Sequence, residues 1–124
     1  MGLDMYAFSF EPKPDQRAVD FKLRECEMKE IHYWRKHPNL HGWVRQLYET
    51  KGGADADFNC TPVLLTREDL DDLERDIKAH SLPDTDGFFF GETRGDEIAG
   101  DLQFIAKARK VIENRQAIAY YAWW

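Results

Sequence analysis

The sequence predicts an α+β fold: a small, mostly antiparallel sheet of about four strands packed with three or four helices, formed by residues 1–124 as one domain. Three observations lead there. The first and last apolar stretches, 3–10 and 117–124, are apolar at both alternating sets of positions, as in strands covered on two faces. Between them the apolar spacing changes to a helical period three or more times. The 43% hydrophobic and 14% aromatic content then supplies a core, and a chain of 124 residues buries roughly two-thirds of its unfolded surface.

In chain order, Leu3 to Phe10 reads as the first strand, with Asp4 its one polar intruder, a carboxylate expected to accept backbone N–H groups. Pro12 and Pro14 end it and open a loop to about Asp20. Met28, Ile31 and Trp34 recur every three residues and predict a helix from about Glu25. Pro38 must interrupt that helix, since it has no N–H and pushes His37 out of the α region. A second helix then starts near Asn39, buries Leu40, Trp43, Val44 and Leu47, and ends at Gly52 and Gly53. Tyr33 to Trp43 is thus expected to form a helix–kink–helix corner.

Pro62 to Thr66 predicts a short strand, and Thr66 caps a helix with Asp69 at its third position and Leu70, Leu73 and Ile77 as its stripe. Glu68, Asp69, Asp71, Asp72, Glu74 and Asp76 give that helix an acidic outer face, a solvated surface first and a docking surface for a basic partner second. Gly87 to Gly91 predicts a strand of three phenylalanines, and Asp96 to Asn114 a helix burying Ile98, Leu102, Ile105, Val111 and Ile112. The two-sided apolarity of the end strands places them centrally in the sheet and leaves its second face to be closed by a homodimer.

A net charge of −6 argues against direct binding to a nucleic-acid backbone and suits a basic host protein. Cys26 and Cys60 form no Cys-x-x-Cys pair, and no stretch reads as a signal peptide or membrane span, so a cytoplasmic location is expected. No cofactor is implied: there is no phosphate loop, dinucleotide fingerprint or nucleophile elbow. No metal is expected either. His37 and His41 have helical ligand spacing, but Pro38 breaks the register, and the calcium-loop resemblance around Asp84 to Gly87 puts Leu82 where the first carboxylate belongs.

The candidate ligand-binding residues are Tyr33, Arg35, Lys36, His37 and His41. Arg and Lys offer charge-assisted donors to a small anionic ligand, the ring offers stacking, and a histidine titrates near neutrality. Asp96 and Glu97 are the candidate acid–base carboxylates, in an acidic cluster with Glu92 and Asp101.

Met1 to Tyr6, Tyr33 to Trp43, Phe58 to Val63, Gly87 to Gly91, and Tyr120-Tyr121 with Trp123-Trp124 resemble a family of small bacterial and phage or prophage proteins across nearly the whole chain. Ala122 departs from the pattern, since relatives more often carry serines before the final tryptophans. Some members bear a phosphoglycerate kinase label, which a chain this short without a phosphate loop contradicts. The resemblance implies a setting: a non-catalytic binding or inhibitor module acting on a host defence protein or sequestering a nucleotide-like ligand. The alternative is a small enzyme using histidine and carboxylate acid–base chemistry on a phosphorylated or nucleotide-derived substrate.

Overall fold

The computed structural model describes residues 2–83, 85 and 97–124. Four strands, β1 (Asp4–Phe10), β2 (Met28–Arg35), β3 (Val63–Leu65) and β4 (Ala117–Trp123), form one sheet in the order β2-β1-β4-β3, with every pairing antiparallel. The helices are α1 (Pro38–Thr50), α2 (Arg67–Lys78) and α3 (Ile98–Glu113). This is the α+β architecture expected, with the first and last strands paired at its centre.

One sheet face carries the core. Met5, Trp34 and Ala122 lie in one cross-strand row and Ala7, His32, Tyr120 and Val63 in the next. Leu40, Val44 and Tyr48 of α1, Leu70, Leu73 and Ile77 of α2, and Phe104, Ile105 and Ala108 of α3 pack with that face in a single apolar cluster. Helix α2 starts as its sequence predicts: Thr66 Oγ1 accepts from Asp69 N–H, and the Asp69 carboxylate accepts from Thr66 N–H. Asp69 is not on the acidic outer face, however, because it turns inward, 9% exposed, to pair with Lys51.

The predicted helix from Glu25 is instead a 3₁₀ turn, Glu25–Glu27, running into β2. The reason is a bulge. The pairing register shifts between Ala7 and Phe8, so that His32 faces Ala7, Glu30 faces Phe8, and Ile31 is the extra residue. An inserted residue breaks the two-residue alternation of a strand and sets Ile31 against the core with Trp34 three residues on, while Met28, opposite Phe10, lies on the other face. Pro38 therefore interrupts nothing. It stands in the first turn of α1, where its missing N–H costs no bond, and the corner is strand–turn–helix, with Lys36 in a left-handed conformation (φ 54°) at the turn. The predicted strand at Gly87 to Gly91 lies outside the described residues.

Two loops are tied down around Tyr48. Its hydroxyl donates to Asp20 Oδ1 and accepts from Asp55 N–H (2.8 Å), while Asp20 Oδ2 accepts from Ala54 N–H (2.9 Å). Asp55 in turn accepts from Asp57 N–H (3.0 Å) and Thr61 Oγ1 (3.0 Å), and these bonds hold its carboxyl below the usual range. Val19 bridges to Val63 beside β3, so the chain after Asp20 is launched across the sheet. Gly53 is needed where the loop leaves α1, since a Cβ there would lie 2.1 Å from Tyr48 Cζ. Because the Tyr48 ring is buried and its hydroxyl is fixed, Gly53→Ala should destabilise the protein by about 1–3 kcal/mol, read as a lower midpoint in urea denaturation; an unchanged midpoint would show that the ring is free to move.

Candidate functional site

The Tyr33 to Trp43 corner divides between the two sheet faces. Tyr33 and Arg35 alternate with buried Trp34 and so project from the face opposite the helices; Lys36 is exposed at the turn. His37 and His41, expected to face a ligand, are buried at 2% and 1% exposure. That is a correction with a simple cause. Once β2 runs to Arg35 and α1 starts at Pro38, both imidazoles fall on the side of the corner that meets the core.

His37 Nε2 lies 2.8 Å from Asp101 Oδ2, and Trp34 Nε1–H donates to Asp101 Oδ1 at 3.0 Å. A carboxylate can only accept, so the hydrogen rests on His37 Nε2. Asp101 is itself 2% exposed, on the α3 stripe formed with Phe104, Ile105 and Ala108. His41 is stacked on Phe58 (centroids 5.2 Å apart, planes at 18°), with Nδ1 2.7 Å from the Tyr120 hydroxyl. Burial, and next the charge of Arg45, lowers its pKa to about 4.

Among the described residues Asp101 is a carboxylate bonded to a histidine, a residue the sequence did not single out beside Asp96 and Glu97. Asp96 lies outside the described residues, and Glu97 is half-buried just before α3. The signal for Asp101 was present in the sequence, because it stands three, four and seven residues before three apolar positions, the spacing of a buried helical stripe. A His–Asp pair this closed to solvent orients and holds a core. Among the described residues no three His, Cys, Asp or Glu converge as a metal set, and no helix is long and apolar enough to cross a membrane.

The second sheet face is aromatic. Tyr33, Tyr6 and Tyr121 stand opposite one another on β2, β1 and β4, with Arg35, Asp4 and Trp123 in the adjacent row. Tyr33 and Tyr6 have ring centroids 5.1 Å apart, Tyr6 and Phe8 5.7 Å, and Phe8 and Tyr121 6.5 Å. Tyr33 and Trp123 are 44% and 48% exposed. Asp4 accepts the Tyr33 hydroxyl instead of the expected backbone N–H groups, and that bond raises the Tyr33 pKa to about 12.

The segment after Asp20 crosses this face and leaves a cavity of about 580 Å³ beneath it. Tyr6, Phe8 and Tyr121 line it from the sheet, Lys22 and Arg24 from the crossing segment, and Cys60 from the β3 side. Cys60 is held by a left-handed conformation (φ 60°) and by its N–H donating to Ala122 C=O at 2.9 Å. Its thiol donates to Asn59 Oδ1 at 3.5 Å, and burial of the neighbouring Tyr121 raises the pKa of that phenol to about 12. Two other hollows of about 350 and 680 Å³ flank the 11–27 loop; like the cavity on the open face, which Glu25 also lines, their walls mix charges of both signs.

No family model, curated protein or solved structure matches the chain.

Asp101→Ala strands two buried N–H donors at once, and we expect a loss of roughly 3 kcal/mol or more, measured by chemical denaturation; a loss under about 1 kcal/mol would mean that the clasp is dispensable. Folded His41 stays neutral down to about pH 4, whereas the unfolded imidazole protonates near 6.5. The unfolded chain thus binds the extra proton between those values, and stability falls as the pH drops from 6.5 towards 4, by on the order of 3 kcal/mol from this residue. His41→Phe should flatten that part of a stability–pH curve, and an unaltered slope would exclude His41 as its source.

Proposed function

We propose that the chain is a non-catalytic binding module of the inhibitor type found in phages and prophages, and that it binds through the open aromatic face of its sheet. The observation that carries this reading is the cavity under the Phe21 to Glu25 segment, floored by Tyr6, Phe8 and Tyr121. Pockets of this size with apolar walls and a few polar groups are the usual places for ligands. The resemblance of the sequence to small phage and prophage proteins supports the inhibitor setting, in which a small chain sequesters a signal or occludes a host protein. Cys26 and Cys60 are exposed free thiols, which suits a reducing cytoplasm.

Of the residues first singled out, Tyr33 and Arg35 belong to this face, with Lys36 at its edge. The acidic side of α2 supports a basic protein partner less well. Its Asp71 and Glu74 are bridged by Arg109, Asp72 and Asp76 by Arg75, and Glu74 again by Lys78.

Native mass spectrometry of the protein after incubation with a bacterial small-molecule extract should show a bound mass that Tyr6→Ala/Tyr121→Ala removes. A bare protein mass, together with no partner captured from the same lysate, would refute the binding-module reading.

A further inference from the structure

Among the described residues the exposed large hydrophobic side chains are Tyr33 and Trp123, and both stand on the open face, one on each side of β1. That face is stepped. At one end Arg35 and Trp123 are exposed; at the other the segment after Asp20 lies over the sheet, with the Phe21 and Phe10 ring centroids 5.6 Å apart. Between the two, under the edge of the segment, is the cavity of about 580 Å³, to which Phe21, Leu23, Met28 and Pro62 add apolar walls. A single face thus presents a projecting indole and, beside it, an apolar hollow.

Charge follows the same polarity. Arg35 lies in the row of Trp123; two rows on, Glu30 stands opposite Phe8, and Phe8 opposite Ala119. Arg35 and Glu30 are both exposed, on one strand and one face, about 13 Å apart at the usual strand rise. A two-fold axis lying across the strands at the middle row, that of Tyr33, reverses this order. It sets Arg35 of one copy over Glu30 of the other. It also sets Trp123 over Ala119, a small residue flanked by Tyr121 and Phe8, which both line the cavity.

We infer that the chain forms a two-fold dimer through this face, with Trp123 of each copy seated in the cavity of the other and Arg35 paired with Glu30 across the interface. The inference rests on the binding-module reading and names a second copy as the occupant of the open face, its indole becoming a wall of the same cavity. Shape favours a second copy over an unrelated protein, because a stepped surface is matched by its own two-fold image: the covering segment of each copy borders the bare end of the other. Charge favours it as well, since a strand laid antiparallel over itself pairs both of its charged ends at once. Facing sheets pack about 10 Å apart, a gap that tyrosines and an indole span. An aromatic side chain seated in a pocket carries most of the energy of such a contact, and the ion pairs fix its direction.

The test is sedimentation velocity of the full chain over a concentration series, with native mass spectrometry for stoichiometry. A dimer should form, and Trp123→Ser should weaken it roughly tenfold or more. Arg35→Glu should weaken it roughly threefold to tenfold by facing Glu30 with a like charge. Adding Glu30→Arg to Arg35→Glu should return the affinity to within about twofold of the unaltered chain, because the exchange rebuilds both pairs. All three side chains are exposed, so the variants keep the fold, which circular dichroism checks.

A chain that stays monomeric up to about 0.5 mM would overturn the proposal. So would a dimer that Trp123→Ser leaves intact, or one that the charge exchange fails to restore. A monomer that still holds an extract ligand, lost in Tyr6→Ala/Tyr121→Ala, would remove the dimer and leave the binding module standing. A dimer with the expected variant pattern that holds no extract ligand and captures no other partner would support the second copy as the occupant of the face.

Discussion

One carboxylate fixes the corner on which the helical side of this protein is built. Asp101 sits on α3 and binds Trp34 of β2 and His37 at the entrance to α1, so a single buried group joins the sheet to two helices. An ion taken out of water costs several kcal/mol unless its partners are well placed. Both oxygens of Asp101 have one, and each partner is a ring N–H whose direction is set by its own packing. Trp34 meets Phe104 edge-on, with centroids 4.8 Å apart. The angle at which α1 leaves the sheet is therefore specified by chemistry more exacting than apolar contact.

That corner also marks where the sequence could and could not be read. The end strands, the three helices and the Thr66 cap were legible because each rests on local spacing. Met28 to Trp34 was not, because a bulge brings Ile31 to the core side with Trp34, at the three-residue spacing of a helix. The histidines were misplaced for the same reason: burial of His37 and His41 follows from the strand–turn–helix path, and their types alone suggest a reactive surface. Tyr33 and Arg35 were legible as surface residues. The groove was half legible. Two-sided apolarity of β1 announced an aromatic second face, but its wall comes from a loop carried there by the Asp20–Tyr48 latch, a contact 28 residues apart in sequence.

The two faces of the sheet consequently serve different ends. On the helical side polar groups are sunk and answered: His41 meets Tyr120, and Asp69 meets Lys51 and its own cap. Ala122, where the resemblance leads one to expect a serine, faces that side at 1% exposure, so no terminal hydroxyl is missing from the open face. On that open face rings stand half-covered, and the Tyr33 hydroxyl is drawn into a short local bond to Asp4. Tyr6 and Phe8 stack on one another, so each covers part of the other's flat surface.

The bulge at Ile31 has a further effect at the boundary of the sheet. Lys107 reaches from α3 to the Ile31 carbonyl (3.4 Å) and to His32 Nδ1 (3.2 Å), occupying an acceptor on the outermost strand just where its ladder is irregular. At the opposite margin β3 has only three residues, and Val19 already pairs with it. The β3 margin is thus too short to offer a long row of vacant N–H and C=O groups to another strand. On the β2 margin the bulge and the Lys107 contact interrupt the outward row of groups at its middle, so a strand added there would meet a break in the ladder.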